Sequence, residues 1–264
     1  MERKLVFFDI DGTIVDNETH IIPESTKEAI RRMKEKGHIA AVNTGRTWVT
    51  IDESIKELGF DAYICGCGTY LLYRGEWLFQ NRLSRELCKE TVERFRDWKI
   101  PAFFEGYECI YFDTNAGFTD ERVMKIYRSM GSVAKEIPCD LEEANLNFDK
   151  FCLYFSEESQ KEEALCWLEE HFFCIKREHG MMEIVPKGYS KATGMEYLRK
   201  YLGILPENCY AIGDSTNDLT MLRAVPNSIA MGEAPRQVKE VCRYQTKKVM
   251  EDGISFILNQ CGLI

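Results

Sequence analysis

Two carboxylates separated by one residue, Asp9 and Asp11, end the apolar run Leu5-Val6-Phe7-Phe8 and are followed by Gly12-Thr13. An uninterrupted apolar run of this length, bounded by turn-formers, predicts a strand buried on both faces, as in a parallel sheet. Extended geometry aims residues two apart the same way, so both carboxylates leave one strand end, and Gly12 lets the chain turn aside without blocking them. Two converging carboxylates repel unless a cation lies between them. A hard ion such as Mg²⁺ suits the pair, because it takes one or two carboxylates and keeps room for phosphate oxygens and waters. Phosphoryl chemistry is the expectation, and an Asp-rich turn is the competing reading of the same residues.

Three further stretches carry matching chemistry. Asn43-Thr44-Gly45-Arg46 offers a hydroxyl and free backbone N–H groups near a helix start, where they can grip phosphate oxygens. Thr44 as a plain helix cap is the alternative. Lys191 follows Gly188-Tyr189-Ser190 at the start of a helix, where a cation opposes the macrodipole; taken alone it reads equally as a solvated surface residue. Gly213-Asp214-Ser215-Thr216-Asn217-Asp218 places another carboxylate after an apolar strand, with Asn217 and Asp218 free to orient ligands or to cap the next helix.

The elements that must position these residues alternate. Ser25-Thr26-Lys27-Glu28 has capping-box spacing ahead of Ala29, Ile30 and Met33 on one helical face, and Gly37 stops that helix. Ile39 to Val42 reads as a strand, about Thr47 to Leu58 as a helix and Ala62 to Cys65 as a third strand. Strand and helix in strict alternation predict right-handed crossovers in a parallel sheet. Tyr70 to Phe79 then reads as a hairpin turning at Arg74-Gly75. From about Ser84 to Pro186 helices alternate with aromatic-rich strands that favour antiparallel pairing, among them Phe173 to Lys176 and Met182 to Val185 around Gly180. The first rhythm resumes with a helix Lys191 to Tyr201, a strand Cys209 to Ile212, a helix Leu219 to Arg223, a strand Ser228 to Met231, and helices at Pro235 to Val241 and Ile254 to Leu258. The fold class is therefore α/β: a doubly wound, Rossmann-like parallel sheet in residues 1–81 and 187–264, with an α+β domain inserted at 82–186.

Composition narrows the function classes. Hydrophobic residues make up 45% and charged ones 29%, ordinary values that argue against disorder. No apolar stretch approaches the roughly 20 residues of a membrane span, and the chain runs from Met1-Glu2-Arg3-Lys4 straight into a core strand, so no membrane partner and a cytoplasmic location are expected. Eleven scattered cysteines predict free thiols in a reducing compartment. Cys65 and Cys67 lack the second pair or histidine that a tetrahedral metal set needs. The net charge of −9, without basic stripes, excludes nucleic acid as the expected partner. An acidic protein that handles phosphate must gather a metal ion, Lys and Arg at one spot.

In order and spacing, Asp-x-Asp-Gly-Thr, Thr-Gly-Arg, a lysine and Gly-Asp-x-x-Asn-Asp resemble the haloacid dehalogenase-like phosphatase superfamily. The insertion point, Ala230-Met231-Gly232 and Glu251-Asp252-Gly253 are similar to its Cof-type branch with a C2-type cap. The resemblance covers nearly the whole chain. It implies a Mg²⁺-dependent phosphatase acting on a small phosphorylated metabolite, such as a sugar phosphate or phosphorylated cofactor, as a monomer or homodimer. It implies that Asp9 attacks phosphorus to form an aspartyl-phosphate and that Asp11 first protonates the leaving oxygen and then takes a proton from water. Asp9, the Asp11 carbonyl, Asp214 and Asp218 would surround the metal. Thr44, Gly45, Lys191 and Asn217 would hold the phosphoryl group, and Arg46 and Glu233 are further substrate candidates. The insert, as a lid, offers Glu105, Tyr107 and Met181 to Glu183 as leaving-group contacts. Two departures stand out: Cys65-Gly66 where relatives often carry Asn-Gly, and Gly232-Glu233-Ala234 where they often carry Gly-Asn-Ala. A phosphomutase, which would need a second phosphate grip on the insert, and a non-catalytic phosphate sensor, which would have lost Asp9, Asp11 or Lys191, are the alternatives.

Overall fold

The apolar run Leu5–Phe8 forms β1, with all four residues buried. It is followed by α1 (Glu24–Glu35), β2 (Ile39–Asn43), the single turn α2 (Glu53–Lys56) and β3 (Ala62–Cys65), then by the hairpin β4 (Tyr70–Tyr73) and β5 (Glu76–Gln80). The hairpin turns on Arg74 (φ 49°) and Gly75 (φ 84°), the left-handed pair that a two-residue loop requires. Next come α3 (Arg85–Asp97), β6 (Ala102–Glu105), β7 (Ile110–Phe112), α4 (Glu121–Met130), β8 (Ala134–Glu136), β9 (Lys150–Tyr154), α5 (Lys161–His171), β10 (Phe172–Lys176) and β11 (Met181–Pro186). The chain ends with α6 (Lys191–Tyr201), β12 (Cys209–Gly213), α7 (Leu219–Arg223), β13 (Asn227–Ala230), α8 (Arg236–Lys239), β14 (Tyr244–Gln245) and α9 (Gly253–Gln260). This computed structural model describes residues 2–142 and 144–264, and all but the side chain of Glu178 among them.

The chain divides into two units. One holds the chain up to Arg46, Ile51–Gln80 and Tyr189–Ile264, and the other holds Thr47–Thr50 and Asn81–Gly188. In the first, eight strands run in the order β14-β13-β12-β1-β2-β3-β4-β5, parallel from β14 to β3 and antiparallel through the edge hairpin. Strand order reverses between β1 and β12, where Phe8 stands opposite Ile212 on one side and Val42 on the other. A reversal of this kind leaves a crevice outside the carboxyl ends of the strands. Alternate residues of the parallel strands, Leu5, Phe7, Ile39, Ala41, Ile64 and Ala211, share one core with Met195 and Leu198 of α6 and Met221 and Leu222 of α7. Burying these side chains is what fixes α6 and α7 on the sheet.

In the second unit six strands run β10-β11-β9-β6-β7-β8, antiparallel except for β7 with β8. Phe104, Phe151, Leu153 and Ile184 pack with Val92 and Phe95 of α3 and Trp167 and Leu168 of α5. Phe103, Phe112, Cys152 and Tyr154, on the other sheet face, pack with Val123 of α4 and with Val49. The latter contact explains why the helix expected over Thr47 to Leu58 breaks up. Trp48–Thr50 is one 3₁₀ turn belonging to the second unit, and regular helix is confined to Glu53–Lys56. The capping box expected at Ser25 is also absent. Helix α1 begins two residues earlier, after Pro23, and Ser25 Oγ donates instead to Asp252 Oδ1 at 2.5 Å.

Candidate active site

Asp9 is the first residue past β1, and its N–H still donates to Ile212 O of β12 at 3.0 Å, so the end of β1 is stitched to the end of β12. Residues 10–15 then form a tight loop in which the N–H groups of Ile14 and Val15 both donate to Ile10 O at 2.9 Å and that of Gly12 donates to Val15 O at 2.8 Å. Gly12 has φ +75°, and a Cβ there would lie 2.3 Å from Asp214 Oδ2. Glycine is therefore needed twice, for the left-handed backbone and for the approach of Asp214. Gly213, on ordinary backbone, makes room in the same way for Asp218, whose Cγ and Oδ2 would lie 2.6 Å from a Cβ.

Lys191 is the first residue of α6. Ser190 caps the helix, its Oγ accepting from Thr193 N at 3.2 Å while Thr193 Oγ1 accepts from Ser190 N at 2.9 Å. The ammonium, 1% exposed, sits between two carboxylates, 2.6 Å from Asp9 Oδ1 and 2.6 Å from Asp218 Oδ1. Asp218 uses its other oxygen on its own loop, accepting from Asp214 N at 3.0 Å and Ser215 N at 3.1 Å. One carboxylate oxygen from each of Asp9, Asp214 and Asp218 falls within 4.8 Å of the others. Three carboxylates around one ammonium leave two negative charges without a partner.

The titration behaviour follows from that imbalance. Burial, and then repulsion by Asp218, push the Asp9 carboxyl up to about 7 against the pull of Lys191. Burial, and then Asp9 and Asp218, push Asp214 up to about 8. Burial by itself would lower the Lys191 ammonium, but Asp218 and Asp9 outweigh it and raise it well above its ordinary value. Asp214 Oδ1 is enclosed and has no hydrogen-bond partner. Unmet oxygens, excess negative charge and an all-oxygen donor set fit a hard divalent cation.

The loop after β2 lies beside this cluster. Thr44 is 1% exposed; its N–H donates to Ile64 O of β3 at 2.9 Å and its Oγ1 accepts from Arg46 N at 3.1 Å, which leaves the hydroxyl proton to donate elsewhere. The Cys65-Gly66-Cys67-Gly68 turn supports it: Gly66 N donates to Arg46 O at 2.8 Å and Cys67 N to Thr44 O at 3.0 Å. A Cβ on Gly68 would lie 2.2 Å from Ser190 O, so this turn also backs the start of α6. Arg46 grips the Asp11 carboxylate with two donors, Nε to Oδ2 at 3.0 Å and Nη2 to Oδ1 at 2.6 Å, and its Nη1 reaches Asp52 Oδ2 at 2.7 Å.

Asp9, Thr44, Lys191, Asp214 and Asp218 are thus gathered at the strand ends, with Gly45, Asp11 and Arg46 adjoining them. Asn217 bonds within its own loop, accepting from Ser215 Oγ. Glu233 is exposed and pairs with Lys248 at 3.1 Å. In the second unit, Glu105 and Glu183 both pair with the buried Lys150, the latter at 2.8 Å. Sequence reasoning missed Lys150, whose only signal is a cation inside an otherwise apolar strand, and it missed Asn43 as anything but a neighbour of Thr44.

The sequence family described as haloacid dehalogenase-like hydrolase matches residues 6–258. The chain belongs to this family. The hydrolase is 28% identical over its whole length to all of YkrA of Bacillus subtilis (strain 168), provisionally named a phosphatase. It is 26% identical to the 5-amino-6-(5-phospho-D-ribitylamino)uracil phosphatase YcsE of the same organism, over 97% of this chain and 94% of that one. Its fold superposes with a TM-score of 0.84 on the solved subclass IIB sugar phosphatase BT4131, at 28% identity, covering 99% of this chain and 100% of that one. It is an enzyme of the phosphatase kind within the family. Among the described residues, no helix of the hydrolase is long and apolar enough to cross a membrane.

Proposed function

We propose that the chain is a Mg²⁺-dependent phosphatase that hydrolyses a small phosphate monoester through an aspartyl-phosphate on Asp9. The observation that carries this reading is the Lys191 ammonium held 2.6 Å from both Asp9 and Asp218, with Asp214 adjoining. The Asp9 carboxylate, the Asp11 backbone carbonyl and Asp214 would hold the ion, with Asp218 beside them, and the bound ion supplies positive charge to the phosphoryl oxygens and keeps the carboxylates ionised.

The residues themselves account for the rest. Asp9, fixed by the β1–β12 pairing, offers one oxygen for in-line attack on phosphorus. Lys191 and the Thr44 hydroxyl bind the equatorial oxygens, over which charge spreads in such a transition state. Asp11, half-exposed and paired with Arg46, carries the proton: released from the Arg46 fork and protonated, it donates to the departing oxygen, and the carboxylate so formed accepts a proton from the water that opens the acyl-phosphate. A sugar phosphate or phosphorylated cofactor is the proposed substrate class, supported by the names of two of the relatives above. A cytoplasmic location suits such a substrate.

The test is a panel of phosphate esters assayed for phosphate release with Mg²⁺ and with chelator, in the parent and in Asp9→Asn. Activity should require the ion and fall by orders of magnitude in the variant. An Asp9→Asn protein as active as its parent on the best ester would falsify the nucleophile assignment.

A further inference from the structure

We propose that Asn43 is a positioning residue for Lys191, held at some cost to the stability of the fold; the inference rests on the phosphoryl-binding role of Lys191 proposed above. Asn43 is the last residue of β2, fully buried, and immediately precedes Thr44. Its Nδ2 donates to the Lys191 backbone oxygen at 3.0 Å. One amide thus ties the peptide unit of the lysine to the strand that delivers the threonine. Two other features steady the same turn of α6. The Ser190–Thr193 capping box holds it from within, and Gly194 admits it to the sheet, since a Cβ there would lie 2.5 Å from Ile64 Cγ2.

The other end of the Asn43 side chain shows what the residue is for. Its Oδ1 is enclosed and has no hydrogen-bond partner. An unmet buried acceptor costs more than one neutral hydrogen bond returns, so for stability alone an apolar side chain of similar size would serve at least as well. What such a side chain cannot do is fix the height of the lysine peptide against Thr44. The Lys191 ammonium serves two carboxylates at 2.6 Å each, a geometry that a small slide of α6 would spoil. A misplacement of about 1 Å at a charged contact can lower turnover about a hundredfold. Lys191 meets phosphoryl oxygens most strongly when their charge is greatest, so the loss belongs to kcat rather than to KM.

Asn43→Val and Asn43→Ala are compared with the parent and with Lys191→Met, by Mg²⁺-supported hydrolysis of p-nitrophenyl phosphate and by thermal unfolding. Asn43→Val should unfold at the parental temperature or above it, with kcat lowered about tenfold to a hundredfold and KM within about twofold. Asn43→Ala, which adds no atoms, is read in its place if the valine does not fit. Parental kcat in either variant while Lys191→Met is inactive would overturn the proposal. So would a loss of activity that merely tracks a lower unfolding temperature, which marks Asn43 as a fastener. A parent inert toward the ester, or a Lys191→Met protein with parental kcat, would sink the catalytic reading of the site instead.

Discussion

Without metal, this protein should lose stability as pH rises through neutrality, and Mg²⁺ should remove the part of that dependence that belongs to Asp9 and Asp214. Asp9 titrates near 3.8 when unfolded and is pushed up to about 7 in the fold, and Asp214 from 3.8 to about 8. Between about pH 5 and 7 the folded state therefore binds protons at both sites that the unfolded state has released. Stability falls with pH wherever the folded state holds more protons, by about 1.4 kcal/mol per proton and pH unit. Two sites give at most about 2.7 kcal/mol per unit, or about 5 °C in unfolding temperature for a chain of this size. His38, held below its ordinary value by burial and then by Lys36 and Lys4, acts in the opposite sense but with a single proton. Asp149, raised by burial to about 8, adds to the slope in metal and in chelator alike. The assay is a set of melting curves from pH 5 to 7.5 in chelator and in millimolar Mg²⁺, repeated for Asp214→Asn, which should lose about half of the metal-sensitive slope. Mg²⁺ must displace protons at low pH, so its benefit should grow with pH. Parallel curves with and without the ion would refute the reasoning.

Lys191→Met strips the ammonium from two buried carboxylates, which should cost the metal-free fold about 3–5 kcal/mol, and separately removes a charged donor to the phosphoryl oxygens, so kcat for phosphate release should fall about 10²–10³-fold. Arg46→Lys keeps the charge near Asp11 but not the two-donor fork, and kcat should drop about tenfold with little change in unfolding temperature. Gly12→Ala meets Asp214 Oδ2 at 2.3 Å on a left-handed backbone, so both activity and the Mg²⁺-induced rise in unfolding temperature should be lost.

The strand ends of the proposed active site were legible because these motifs join a hydrophobic run to carboxylates, hydroxyls or glycines, and a parallel sheet delivers such ends to one edge. Asp9, Thr44 and Asp214 could be singled out for that reason, whereas Lys191, at a helix start, reads alone as a surface residue and is singled out by the family resemblance. The helix expected over Thr47 to Leu58 failed because Val49 is recruited by the second unit, a partner with no local trace in the sequence. Ser25 illustrates the same limit. Its side chain is drawn to Asp252, distant in the chain, and Pro23 begins the helix in its place. Asn43 stayed hidden because its task depends on where α6 comes to rest. Lys150, between Glu105 and Glu183, is legible only once β6, β9 and β11 are paired.

The most direct test of the account is the chemical state of Asp9 during turnover. Acid-quenched samples taken with Mg²⁺ and a good phosphate ester are digested, and the peptide containing Asp9 is weighed by mass spectrometry. The account predicts a phosphoryl group on that peptide in the parent and none in Asp9→Asn. A parent that turns over rapidly yet never carries the group there, or carries it on another side chain, would contradict it.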